Sequence, residues 1–350
     1  MAVTARDVAR KANVSPATVS LVFRNKPGVG VETREHVMAV AQELGYAYSS
    51  SPNPNNKTAT LQFVIYKGGE RVVGNTPFFE GLARGITDEA YRLGYHHMVT
   101  TYFYASQDDR EQLLAIQNTK PAGIVLLATE MRARDVTQFE RLGAPVVLLD
   151  SWFPTKTLDA VVIDNQRAMW NATQYLVNRG HRRIGYLKAN STIRNFLERH
   201  DGYQQAMRSL VSGDVDTRPL TARLGTTEEE AHDDMAAWLA RRDEAQEGPL
   251  PSAFVADNDW LAAGAMRALQ EAGLRVPEDV SIIGIDDLPV CTQVTPRLTT
   301  MAVPKERMGA IATRRLVDVL REGYDDSLRI ATLPKIIQRA SVASVDCCTL

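Results

Sequence analysis

Thr4-Ala5-Arg6-Asp7-Val8-Ala9 leads through Ala12-Asn13-Val14 into Ser15-Pro16-Ala17-Thr18-Val19-Ser20, a stretch that reads as helix, tight turn, helix. Thr4 and Asp7 have the spacing at which a hydroxyl and a carboxylate satisfy the orphan amides of a first turn. Val8, Ala9 and Ala12 then share one helical face. The Asn13-Val14 corner turns the chain, and Ser15 caps a second helix whose first position is Pro16. A third helix is predicted over Glu32 to Leu44, where Val37, Val40, Ala41 and Leu44 recur at i, i+3, i+4 and i+7 and Gly45 supplies the stop. Three short helices that cross at small residues suit a compact head that lays a helix against DNA.

Charge supports that reading. Arg6, Arg10, Lys11, Arg24 and Lys26 oppose only Asp7 in residues 1–26, a local net charge of +4 in a chain whose total is −2. Adding Arg34 and Lys57 against Glu32, Glu35 and Glu43 gives +3 over residues 1–60 and leaves −5 for the rest. A phosphate-binding footprint is local, so a weakly acidic whole does not argue against DNA.

At 350 residues the chain has room for a small head and about two further domains of ordinary size. Its 44% hydrophobic and 23% charged content is that of a globular protein, and no apolar run approaches the roughly 20 residues that span a bilayer. Charged Arg6, Asp7 and Arg10 sit where a secretory signal needs an unbroken apolar stretch, so a cytoplasmic protein with no membrane partner is expected. Cys291 and the vicinal pair Cys347-Cys348 are too few and badly spaced for a disulfide framework or a four-ligand zinc site, and read as free thiols. Tyr48 to Thr60, rich in Ser, Pro and Asn, reads as a tether.

Beyond it, apolar runs alternate with amphipathic helices. Leu61 to Tyr66, His97 to Tyr104, Gly123 to Leu127 and Pro145 to Asp150 read as strands, with helices over Pro77 to Leu93, Asp109 to Thr119 and Val136 to Leu142. A second series places helices at Gln166 to Arg179, Leu197 to Leu210, Thr227 to Arg242 and Asp259 to Ala272. Its strands are Ile184 to Leu187, Ala253 to Ala256 and Ser281 to Ile285. Two doubly wound α/β halves follow, and ligands of such sheets bind beyond the carboxyl ends of the strands.

Those ends carry Asp150, Asp164-Asn165, Asn258-Asp259 and Asp286-Asp287. Converging carboxylates and amides suit a polyhydroxylated ligand, a sugar above all, and Phe78, Phe79, Trp152, Phe153 and Trp260 lie beside them to stack on a ring. Helix capping is the plain alternative for Asp164 and Asp259, each of which precedes a helix. Paired acids also serve glycoside hydrolysis. Yet the chain has no G-x-S-x-G, H-E-x-x-H, phosphate-cradling G-x-x-x-x-G-K or dinucleotide fingerprint, so no catalytic residue, metal or cofactor is expected. Gly68-Gly69 reads as a loop, and His96-His97 as packing or surface.

Several ordered motifs together resemble the lactose-repressor/galactose-repressor (LacI/GalR-type) family of transcription regulators. They are Asp7-Val8-Ala9, Ala12-Asn13-Val14-Ser15-x-x-Thr18-Val19-Ser20, Glu43-Leu44-Gly45-Tyr46, Arg179-Gly180-His181-Arg182-Arg183-Ile184-Gly185, Arg199-x-x-Gly202-Tyr203, Val276 to Asp287 and Pro296-Arg297-Leu298-Thr299-Thr300. The resemblance implies an α/β protein with a three-helix helix-turn-helix head at 1–46, a hinge at 47–60 and a two-lobed periplasmic-binding-protein-like core of doubly wound parallel sheets at 61–345. The lobes are expected at about 61–163 with 291–321 and about 164–290 with 322–345.

By the same resemblance Pro16, Ala17 and Leu21 match base-reading positions, and Thr4, Ser15, Thr18, Ser20 and Asn25 match phosphate contacts. Phe78, Phe79, Asp150, Asp164, Arg199, Asn258 and Asp286 match effector-contacting positions. A homodimeric repressor is implied, with operator DNA as partner and a small effector, a sugar, between the lobes. The alternative is a cytoplasmic sugar-binding or sugar-processing protein whose head no longer switches DNA. Two positions depart from the family pattern. Leu21 stands where many members carry Arg, offering a thymine methyl apolar contact in place of a guanine fork. Asn55 falls near the leucine that wedges into the minor groove, and it cannot supply that apolar insertion.

Overall fold

The computed structural model describes residues 5–23, 29–44, 59–70, 72–73, 77–211, 221–245, 248–324 and 326–345. Thr4, Asn25, Gly45, the expected hinge up to residue 58, and Cys347-Cys348 therefore lie outside the described residues. The head is α1 (Ala5–Lys11), α2 (Pro16–Phe23) and α3 (Val31–Glu43). Asn13 takes the left-handed conformation (φ 54°) that the corner requires, a conformation Asn tolerates better than most residues. Ser15 Oγ accepts from the Thr18 amide at 3.0 Å, so α2 is capped as its sequence predicts. Val8, Ala9, Ala12, Val19, Val22, Val37, Val40 and Ala41 form one small buried core.

Next in the chain come β1 (Thr60–Lys67), α4 (Pro77–Arg92), β2 (His97–Tyr104), α5 (Asp109–Asn118), β3 (Gly123–Leu127), α6 (Ala133–Glu140), β4 (Val146–Leu149) and β5 (Asp159–Ile163). They are followed by α7 (Asn165–Val177), β6 (Ile184–Ala189), α8 (Arg194–Leu210), β7 (Thr221–Leu224), α9 (Glu228–Glu244), β8 (Ala253–Ala256), α10 (Asp259–Glu271) and β9 (Ser281–Asp286). The chain continues through α11 (Val290–Gln293), β10 (Thr299–Ala302), α12 (Lys305–Glu322), β11 (Arg329–Thr332) and β12 (Lys335–Ile337).

Two six-stranded sheets result, ordered β11-β5-β4-β3-β1-β2 and β12-β10-β9-β8-β6-β7. Every pairing is parallel except β10 with β12. In each sheet the order reverses beside the first strand, β1 or β6, which is where a doubly wound sheet opens a crevice at its carboxyl edge. The continuous apolar runs are explained by burial of both faces. On β3, Val125 and Leu127 join the core under α4 and α12, while Ile124 and Leu126 join a second core on the opposite face.

The expected lobe boundaries need two corrections. β10, expected with residues 291–321 in the first lobe, pairs with β9 in the second sheet; β11, expected with 322–345 in the second lobe, pairs with β5 in the first. The chain thus crosses between sheets after Ile163, again between Ala302 and α12, and a third time between Thr332 and Lys335. α12 returns to the first sheet because glycines let it lie against α4. A Cβ on Gly85 would fall 1.9 Å from the Glu306 carbonyl oxygen, and one on Gly309 would fall 2.2 Å from that of Leu82.

Candidate functional site

The carboxyl edges of β4, β8 and β9 and the start of α8 converge on a cavity of about 380 Å³ between the two sheets. Phe78, Phe79, Asp150, Arg199, Asn258 and Asp286, six of the seven residues predicted for an effector, line it together with Trp260. Asp164 does not. Its carboxylate accepts from the Arg167 amide at 3.1 Å and caps α7, so the capping alternative describes it. The neighbouring Asn165 is the one that enters the polar network.

That network is centred on Arg199, which α8 holds only 3% exposed. Its Nε donates to Asn165 Oδ1 at 2.9 Å, and its two terminal nitrogens donate to the Asp257 carbonyl at 2.5 Å and to Asp286 Oδ1 at 3.2 Å. Asp150, in left-handed backbone at φ 67°, accepts on Oδ2 from the Thr129 hydroxyl at 2.6 Å and from Asn195 Nδ2 at 3.0 Å. Its Oδ1 is buried with no hydrogen-bond partner. Burial pushes the Asp150 carboxyl up to about 7, against the opposing hydrogen bond from Thr129 and the field of Arg199. Burial also raises Asp286, with Arg199 and Lys305 pulling the other way.

The remaining strand-end acids have structural partners. Asp257, also raised by burial to about 7, accepts from the Tyr186 hydroxyl and the Ala189 amide. Asn258, and not Asp259, caps α10, through the Leu261 amide at 2.9 Å. Asp259 is fully buried and accepts from the Thr300 hydroxyl at 2.6 Å and the Leu288 amide at 2.8 Å. Asp287 pairs with Arg339 at 2.6 Å.

Sequence reasoning missed Thr129, Asn195 and Phe196 in the lining. Thr129 stood at a strand end and obeyed the same rule as Asp150. Asn195 precedes Arg199 by four residues, hence shares its helical face, but the predicted helix began at Leu197 and excluded it.

Contacts between the two halves surround the cavity. Besides Asn195 on Asp150, the Ser191 hydroxyl donates to Glu70 at 2.9 Å and the Trp152 indole N–H donates to Glu198 at 3.1 Å. The guanidinium carbons of Arg194 and Arg329 each lie 4.1 Å from the Trp152 ring centre, so Trp152 joins the two halves where it was expected to stack on a ligand. The loop after β1 is held by Glu130, whose carboxylate collects the amides of Gly68, Gly69, Val72 and Val73 at 2.6–3.0 Å. This fixes Val72 against the cavity and Glu70 at its mouth.

In the head, Ser15 and Pro16 are exposed at the start of α2, and Thr18 and Leu21 are half-buried along it. The Ser15 hydroxyl lies 2.9 Å from that of Thr18. Ala17 and Ser20 belong to α2, though their side chains lie outside the described residues, as do Thr4 and Asn25 altogether. Among the described residues no group of three or more His, Cys, Asp and Glu is placed to hold a metal, and no helix is long and apolar enough to cross a membrane.

Residues 4–49 match the family of bacterial regulatory proteins of the lacI type, and residues 173–342 match the periplasmic binding protein-like domain. The regulator GalR of Salmonella typhimurium is 29% identical over 97% of this chain and 96% of its own length. The repressor PurR of Haemophilus influenzae is 28% identical over 98% of this chain and 99% of its own. The transcriptional regulator CelR, solved with cellobiose, superposes with a TM-score of 0.69 at 27% identity, covering 97% of this chain and 99% of that one. The chain belongs to the LacI/GalR family: it is a DNA-binding transcription regulator with an effector-binding core.

Proposed function

We propose that this protein is a cytoplasmic, homodimeric repressor whose operator affinity is set by a sugar bound between the lobes. The observation that carries the effector reading is the Asp150–Arg199–Asp286 constellation, in which residues from both halves of the core face one cavity lined by Phe78, Phe79, Asn258 and Trp260. Cellobiose in the CelR structure supports a sugar. Carboxylates and amides exchange hydrogen bonds with ring hydroxyls, and aromatic faces cover the C–H surface of the ring.

α2 is the reading helix of the head. Pro16, Ala17 and Leu21 meet base edges, and Thr4, Ser15, Thr18, Ser20 and Asn25 meet phosphates. Ser15 serves twice, as cap and as contact. A ligand that bridges the lobes binds one relative arrangement better than another, and only that difference in affinity can shift the head between DNA-competent and incompetent states. Titration of the purified full chain with sugars, followed by isothermal calorimetry, tests the site. Binding that Phe78→Ala weakens at least tenfold supports it, and sugar binding indifferent to Phe78→Ala and Asp286→Asn places the site elsewhere.

A further inference from the structure

The cavity distinguishes among sugars by charge. Among the described residues Arg199 is the one cation in its lining, and its guanidinium is fully occupied by Asn165, the Asp257 carbonyl and Asp286. Lys305, near Phe78, has its Nζ on the carbonyls of Asp286 and Asp287 at 2.5 and 3.2 Å. Two carboxylates, Asp150 and Asp286, remain facing the space. An anion placed there would meet like charge across a desolvated gap and find both of these cations already paired. A hydroxyl donor meets the opposite situation, since Asp150 Oδ1 is buried without a partner and gains the hydrogen bond that it lacks.

Size narrows the choice further. About 380 Å³ is near the lower end of the roughly 300–1,000 Å³ usual for ligand cavities, room for one sugar ring and not two. We propose that the ligand is an uncharged monosaccharide that donates a hydroxyl to Asp150 Oδ1, and that Asp150 is the residue that rejects phosphorylated and acidic sugars. The proposal rests on the reading of the cavity as the effector site.

The test is calorimetry of the full chain with D-glucose, D-galactose, D-mannose, D-fructose, D-ribose and L-arabinose, beside glucose 6-phosphate, galactose 6-phosphate, glucuronate and cellobiose. At least one neutral monosaccharide should bind, with its phosphate or uronate about 100-fold weaker, the scale of a few kcal/mol of like-charge juxtaposition. Asp150→Asn, which keeps the size and tolerates the left-handed backbone, should narrow that ratio at least tenfold while the melting temperature reports an intact core. A phosphate, uronate or disaccharide that binds as well as or better than every neutral monosaccharide overturns the inference. If Asp286→Asn weakens that ligand, the effector-site reading survives; if neither Asp150→Asn nor Asp286→Asn affects it, that reading fails too. Absence of binding by every neutral monosaccharide also overturns the inference.

Discussion

Arg199 does more than contact a ligand, because its three partners include a buried carboxylate, an amide side chain and a main-chain carbonyl from different elements. Removing one member of a buried charge pair leaves the other uncompensated, at a cost of about 3–5 kcal/mol. Arg199→Ala should therefore lower the denaturant midpoint of the core as well as abolish effector binding, and an unchanged midpoint would show that the ion pair with Asp286 is not holding the cavity together. Asp150 carries a pH dependence whose sign follows from its role. The folded carboxyl sits near 7, well above its ordinary 3.8, facing Arg199, Asp286, Thr129 and Asn195. A ligand hydroxyl donating to Oδ1 favours the ionised form, so effector affinity should strengthen as pH rises through about 7 and weaken below it. The same shift acts oppositely on the ligand-free core, where the folded state keeps a proton that the unfolded chain has lost; that term reduces stability between about pH 4 and 7. Calorimetry at pH 6 and pH 8, values chosen on the order of one unit either side of the transition, reads the binding effect; a flat profile in Asp150→Asn assigns it to this residue.

Among the elements, those whose burial has a simple period were legible in the residues. Gly123 to Leu127 reads as a strand covered on both faces and is one, and Ser15-Pro16 reads as the start of a helix and caps it. β11 was not legible, since Arg329–Thr332 alternates exposed and half-buried positions at a sheet edge, nor was the three-residue β12. α12 was missed for a different reason. Its contact with α4 runs over Gly309, Ala312 and Thr313, small residues that give little apolar signal yet allow close packing. Gly85→Ala should accordingly destabilise the core, seen as a lower melting temperature, because the added Cβ meets the backbone of Glu306; an unaltered melting temperature would mean that the helices separate freely. Ser15→Ala should cost the head about 1 kcal/mol through loss of the α2 cap and weaken DNA binding with it. The tether makes a further expectation from its composition alone. With Asn55 near the wedge position, operator affinity should vary little with the central base step, and replacing Ser50 to Asn56 by a helical Ala-Arg-x-Leu segment should tighten binding. Affinities on operators that differ only at the centre measure this, and strong discrimination by the natural chain would count against it.

Over the whole molecule, the order of domains was legible and the exchange of strands between them was not. An apolar run shows that a strand is buried but not in which sheet, and this is why β10 and β11 were expected on the wrong sides of the cavity. The consequence is functional, for three crossings tie the two halves together beside the ligand residues Asp150, Arg199 and Asp286. The +4 charge of residues 1–26 predicts DNA binding that weakens steeply with salt, each neutralised phosphate contributing roughly −0.9 to the log–log slope. The central claim is that a ligand in the cavity controls the grip of the head on DNA. Fluorescence anisotropy tests it directly, using a labelled duplex selected from random DNA by the full chain and measured without and with a saturating sugar that calorimetry has placed in the cavity. Our account predicts that saturation changes the affinity by about 5- to 150-fold, a coupling of roughly 1–3 kcal/mol, and that removal of residues 1–46 abolishes binding. An affinity that stays the same at saturation, or a truncated chain that holds the duplex as tightly as the full one, would contradict it.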